Sequence, residues 1–285
     1  MFLLASCGSA EPAEPAAAVT VGSGDDSPEE APEPVAAEML ASSEEPIVRR
    51  VVVDDPGLDP RYAETDQPPP AVRLRRIRSR RNQITDDERW LAEHDIAHLD
   101  ARPTDAPATV GESTFIYSVV SQPATAVYGS RVGARHLWLA QDDGGAVILD
   151  LENLRTDGME VADVRRVGDR VYLTRAHRSY ASTTDGKNAY LVALDVTDGS
   201  VVWVTEPLTS NALAFTGDDR VLFTGYGFTA EPDHLYAIDR LTGRRLAELA
   251  LRKGPTYLVL SDDELHVRTY DRDVTVRVTV TADAP

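Results

Sequence analysis

The chain has 285 residues and a formal net charge of −18. Residues 1–72 hold fifteen Asp/Glu against three Arg, so a quarter of the chain carries −12 of that charge. The acidic balance argues against nonspecific nucleic-acid binding, which depends on cations neutralising phosphates. The single cysteine, Cys7, excludes an intrachain disulfide and a thiolate metal cluster.

The first segment, residues 1–7, ends in Leu4-Ala5-Ser6-Cys7. An apolar run closing on two small residues and a cysteine resembles the bacterial lipobox. That resemblance implies diacylation of Cys7, loss of the preceding peptide and stable anchoring in a membrane. Six residues precede Cys7 and none is basic. A secretory signal has about 7–15 apolar residues after a basic start, so either translation starts further upstream or the match is accidental. Gly8 follows the cysteine where the inner-membrane retention signal has Asp, which leans towards the outer membrane. No run of about 20 apolar residues occurs, so a spanning helix is not expected.

Residues 8–83 read as a disordered acidic, Pro-rich linker, too poor in apolar surface to offset chain entropy. Ile47-Val48 and Val51-Val52-Val53 form an apolar island able to add a strand elsewhere. The linker ends in an arginine-rich stretch: Arg73, Arg75, Arg76, Arg78, Arg80 and Arg81. It reads as neutralising the neighbouring acidic tract, or as contacting anionic lipid headgroups or an acidic partner.

Residues 84–106 hold one expected helix, Ile84 to Leu99, and a connector. Thr85 and Glu88 form a capping box, and Ile84, Leu91, Ala92 and Leu99 recur at helical spacing. The helix carries His94 and His98 four residues apart in HDIAH, a spacing at which two imidazoles can share zinc. It looks like the zinc-protease motif with Asp95 in place of the general base. With no third ligand evident, two solvated histidines are the simpler reading.

From residue 107 to 285 strand-length apolar runs alternate with Gly/Asp turns. The clearest is Tyr190 to Trp203, two strands around Asp195 and Asp198-Gly199. It returns at His234 to Leu246 with Asp239 and Gly243, and a weaker copy ends at Asp150. A period of about 45 residues, all strand and turn, marks propeller blades. A second pattern alternates with it: Gly168-Asp169-Arg170-Val171, Gly217-Asp218-Asp219-Arg220-Val221, and Ser261-Asp262-Asp263-Glu264-Leu265.

Together these units resemble the PQQ-like (quinoprotein-type) β-propeller repeat, on Ala193, Leu194, Asp195, Asp198, Gly199 and Trp203, and again on Ala237, Ile238, Asp239, Thr242 and Gly243. The expected fold is all-β: a β-propeller-like domain of about four blades, complete or not, preceded by the linker and one short helix. Asp150, Asp195, Gly199, Trp203, Asp239 and Gly243 have structural roles: Asp bonds backbone amides at the corner, Gly takes positive φ, and Trp lies between sheets. The last unit lacks a fourth strand, and Thr114 to Val120 is free to supply it.

In the quinoprotein family a calcium-bound quinone, a catalytic Asp and often a vicinal disulfide do the chemistry. One cysteine and no Asp/Glu/Asn cluster imply no cofactor and no catalytic residue here. One relative in the outer-membrane assembly machinery is a lipoprotein with this repeat. The resemblance therefore implies a non-enzymatic scaffold in the cell envelope, held to the membrane through Cys7, for a protein or glycan partner and not nucleic acid. The alternative is an envelope enzyme, either a degenerate quinoprotein oxidoreductase or a zinc hydrolase using HDIAH.

Overall fold

The apolar residues of Tyr190–Asp195 recur on both faces of the strand, so the segment must lie between two layers. In the computed structural model, Tyr190, Val192 and Leu194 enter one apolar cluster, and Leu191 and Ala193 enter another. The structure describes residues 48–83, 87–94, 109–110, 113–114, 117–119, 136–140, 146–167, 169–177, 179–213, 215–228 and 231–281. They belong to a unit running from Glu45 to Pro285.

The described chain enters on β1 (Val48–Val52) and β2 (Ala71–Arg81), followed by α1 (Asp87–Glu93). A small ladder pairs β3 (Thr109–Val110) with β4 (Ser113–Thr114). Then come β5 (Tyr117–Val119), β6 (His136–Ala140) and β7 (Ala146–Asp150). They form the first four-stranded sheet, in the order β1-β7-β6-β5, with β1 and β5 each parallel to its neighbour.

The second sheet is an antiparallel meander of β8 (Glu160–Val167), β9 (Arg170–Ala176), β10 (Tyr190–Asp195) and β11 (Val201–Val204). The third repeats it with β12 (Thr216–Gly217), β13 (Val221–Tyr226), β14 (His234–Asp239) and β15 (Arg245–Ala250). The fourth contains β16 (Pro255–Ser261), β17 (Glu264–Thr269) and β18 (Arg272–Thr281), and takes β2 as its outer strand.

These sheets stack as propeller-type blades. One apolar cluster joins the first sheet to the second, a second cluster joins the second to the third, and a third joins the third to the fourth. Among the described residues no apolar cluster joins the fourth sheet back to the first. The outer face of the fourth sheet is covered in part by α1, whose Trp90 and Leu91 pack on Tyr257 and Val259.

Two expectations are corrected here. First, the linker reading through residue 83 fails from residue 48 onward, and the folded unit begins well before residue 107. The segment 48–81 crosses all four sheets in turn. β1 pairs with β7, and Val53 N–H donates to Asp150 O at 2.9 Å. Arg61 exchanges two backbone hydrogen bonds with Val204, at 2.9 and 2.8 Å. Ala63 N–H donates to Thr242 O at 3.1 Å, and the Arg220 guanidinium donates to Pro68 O at 3.0 Å. β2 then pairs with β18 from Ala71↔Thr281 to Arg81↔Arg272.

Composition averaged over the segment hides this, because the sheets lend the apolar surface and the segment contributes only a few anchors. Val53 is fully buried, which contributes about 1.5–3 kcal/mol for a valine-sized side chain.

Second, the strand closing the last blade is β2 and not Thr114 to Val120. Residues 117–119 lie in the first sheet beside β6. An early segment does clasp the last blade, as the missing strand requires, but β2 makes a ten-residue antiparallel ladder there.

Candidate functional site

The repeat residues shape the corners between the third and fourth strands of the blades. Asp195 Oδ1 accepts the Thr197 N–H at 2.8 Å, and its other oxygen meets Arg170 at 2.6 Å. Asp239 Oδ1 accepts the Leu241 N–H at 2.8 Å, and Asp150 Oδ1 the Glu152 N–H at 3.1 Å. These are Asx-type turns, in which the carboxylate substitutes for a backbone acceptor. Gly199 and Gly243 have φ of 75° and 78°.

Both glycines also accept a close neighbour, which sequence reasoning missed. A Cβ on Gly199 would fall 2.7 Å from both Val51 Cγ1 and Val52 O, where β1 crosses the corner. A Cβ on Gly243 would fall 2.7 Å from the ring of Trp203. Trp203, 1% exposed, thus spans from the second blade to the third, and its indole N–H donates to Arg240 O at 3.0 Å.

The opposite rim carries the connections after each blade's second and fourth strands. The longest, residues 177–189, is pinned by Asn188: its Oδ1 accepts the His177 N–H at 2.7 Å and its Nδ2 donates to Ser179 O at 3.0 Å. Ser179 Oγ lies 2.7 Å from His177 Nδ1, and Thr183 Oγ1 donates to Ser179 Oγ at 2.8 Å. No carboxylate bonds the other nitrogen of His177 among the described residues, so the contact lacks the orienting acid of a triad.

Glu231 ties this loop to the third blade, accepting from Ala181 N–H at 2.8 Å and from the Tyr226 hydroxyl. Burial and the Glu231 carboxylate together push the Tyr226 phenol well above its usual range. Tyr180, exposed, meets Phe228 edge-on at 4.7 Å.

Between the third and fourth blades this rim opens into a cleft of about 440 Å³, lined by Asn211, Phe228, Asp233, Lys253, Thr256 and Tyr270. Its walls are fixed by backbone contact. A Cβ on Gly227 would fall 2.3 Å from Gly254 Cα, and Asn211 bonds both the N–H and the C=O of Gly227. Burial raises the Asp233 carboxyl above its usual value, opposed by the Gly254 N–H and Lys253. Tyr270 is 65% exposed. The cleft thus offers aromatic surface beside a carboxylate, an ammonium and a hydroxyl.

Of the sequence's two metal candidates, the structure describes one. His94 lies at the end of α1, and His98 is outside the described residues. His94 Nδ1 lies 2.8 Å from Trp90 O, and its ring stacks on Trp90 at 4.0 Å. Its neighbour is His266 of the fourth blade, with ring centroids 5.1 Å apart. Among the described residues no group of three or more His, Cys, Asp or Glu could hold a metal ion. Cys7 also lies outside them.

No protein-family model and no curated protein matches the sequence. Solved structures show distant similarity. BamB from Moraxella catarrhalis matches at 9% identity over 42% of this chain, with a TM-score of 0.29, and this chain spans 44% of that one. The computationally designed Ika4 protein matches at 15% identity over 57% of this chain and 97% of its own, with a TM-score of 0.33. The designed Ika8 protein matches at 14% identity over 54% of this chain and 57% of its own, with a TM-score of 0.26. The similarity is one of fold alone.

Proposed function

We propose that the chain is a non-enzymatic binding module of the bacterial cell envelope, built from PQQ-like blades and tethered to a membrane through acylated Cys7, most naturally the outer one. Its partner is a glycan held at the cleft between the third and fourth blades. The observation carrying this reading is an exposed and a half-buried aromatic ring in one cleft with a small polar set. Tyr270, largely exposed, and Phe228 line it together with Asp233, Lys253 and Thr256. Sugar rings present apolar faces for stacking and hydroxyls for convergent polar groups, and pockets of this kind fix orientation with few polar contacts.

The test is calorimetric titration of the full chain with soluble fragments of envelope glycans. Tyr270→Ala should weaken binding about tenfold while leaving the melting temperature unchanged, since the side chain is mostly solvated and buries little on folding. Unaltered affinity in that variant would place the partner elsewhere. The anchor is tested separately, by metabolic fatty-acid labelling of the intact chain against Cys7→Ser. Equal labelling, or a soluble distribution of the intact form, would remove the anchor from the proposal.

A further inference from the structure

The closing strand β2 carries six arginines, and the structure sorts them. Arg76 donates to Ala250 O at 2.8 Å, and Arg80 pairs with Asp273 at 3.0 Å. Arg73, Arg75, Arg78 and Arg81 are exposed, with no hydrogen bond or ion pair among the described residues. A bulge at Ile77, opposite the step from Thr275 to Val276, resets the alternation. Arg73, Arg75, Arg78 and Arg80 therefore stand opposite Thr279, Arg277, Thr275 and Asp273 on one face of the fourth blade.

That face is the one α1 covers in part, and a groove lies between strand and helix. One section, about 500 Å³, is lined by Ile77, Arg78, Trp90, His94 and His266. An adjoining section, about 320 Å³, is lined by Arg81, Asn82, Arg89 and Arg268, and shares Arg80, Trp90 and Asp273 with the first. The acidic groups of this face are engaged: Asp273 with Arg80 and Arg268, Glu264 with Arg277, and Glu93 with Arg89. The face therefore keeps an excess of unneutralised guanidinium in a chain whose net charge is −18.

We propose that this arginine row and its groove dock on the headgroups of anionic phospholipid in a membrane surface. The inference rests on the reading of the chain as membrane-tethered, and deepens it by giving the folded domain a second, electrostatic contact. Free guanidinium groups bind phosphate oxygens in bidentate fashion. The row from Arg73 to Arg80 runs beside β18 from Thr279 to Asp273, about 20 Å at the rise of an extended strand, suited to several headgroups rather than one enclosed anion. The exposed Ile77 lies among the charges, where an interface between water and acyl chain favours it. The domain's own negative charge is screened beyond about 8 Å at physiological salt, so the local row dominates at contact.

The experiment is co-sedimentation of the full Cys7→Ser chain, which carries no acyl group, with phosphatidylcholine vesicles containing or lacking phosphatidylglycerol. Its outcome is thus independent of whether Cys7 is acylated. Binding should require phosphatidylglycerol and fall with added salt. Each arginine contributes about fivefold near an anionic surface, so Arg75→Gln/Arg78→Gln should weaken binding about 25-fold. Arg49→Gln/Arg252→Gln, which removes two charges elsewhere, should not.

Equal binding to neutral vesicles, or unchanged binding by the Arg75/Arg78 variant, would overturn the proposal. Displacement by millimolar glycerol phosphate would overturn the surface in favour of a single-phosphate pocket. Charge on an edge strand also deters sheet-to-sheet aggregation. If that were the row's only role, the variant would self-associate in solution while wild type ignored both kinds of vesicle.

Discussion

Replacing Arg268 with Met should loosen the fourth blade and α1 together. Arg268 is 2% exposed and sits where three segments meet. It donates to Asp87 Oδ1 at 2.5 Å, to Asp273 Oδ1 at 2.8 Å and to Gln83 O at 2.7 Å. Methionine fills most of its volume but strands these acceptors. Breaking a buried pair by removing one partner costs about 3–5 kcal/mol. The lower end applies here, because Asp273 keeps Arg80 and Asn82 and the Asp87 side chain is 31% exposed.

A loss of about 3 kcal/mol lowers the melting temperature of a domain this size by roughly 6–12 °C. The assay is a thermal melt followed by circular dichroism, with hydrogen exchange over residues 87–94 reporting release of the helix. Adding Asp87→Leu to Arg268→Met should recover part of the loss, because one stranded carboxylate is then gone. An Arg268→Met protein melting with wild type, or a double variant worse than both singles summed, would refute the reasoning.

Gly243→Ala should cost about 1–3 kcal/mol in a urea melt, since φ is 78° and the new methyl meets the Trp203 ring. Wild-type stability there would mean that the corner relaxes freely. Burial and the adjacent His94 lower the pKa of His266, against an opposing pull from Glu264. A folded value below the unfolded 6.5 means that the unfolded chain binds the proton more tightly. Stability from this group is therefore complete above pH 6.5 and declines as pH falls through and below it. His266→Gln should flatten that limb of a stability-versus-pH series, and an unchanged slope would assign it to other groups.

What the sequence disclosed, and what it concealed, divides by where the apolar residues are. β10 and β14 are apolar on both faces and end in an Asx corner, so Asp195, Gly199, Asp239 and Gly243 could be read from residue type and order. β2 presents Val72, Leu74 and then mostly arginine. Its position comes from the ladder to β18, and its inner-face neighbours Val274, Val276 and Val278 lie more than 190 residues away in sequence. A strand stabilised by its partner's surface leaves little periodicity of its own. The rim cleft was hidden for a related reason. Asn211, Asp233, Lys253 and Tyr270 belong to four separate connections, and only the blade stacking places them around one opening. His94 was visible as half of a zinc spacing, whereas its stacking on Trp90 and approach to His266 depend on where α1 lands.

The crossing of residues 48–81 over all four sheets also sets an order of events. β2 is made early, yet its partner β18 ends at Thr281, with Ala71 and Thr281 separated by 210 residues. Closing so long a loop is entropically late and slow. A chain emerging from a ribosome or a translocation pore can build its second and third blades by local hairpins, but it cannot complete the fourth until Thr281 is free. Any truncation short of β18 therefore leaves β2 without its ladder at the other end of the chain, and an arginine-studded edge strand unpaired.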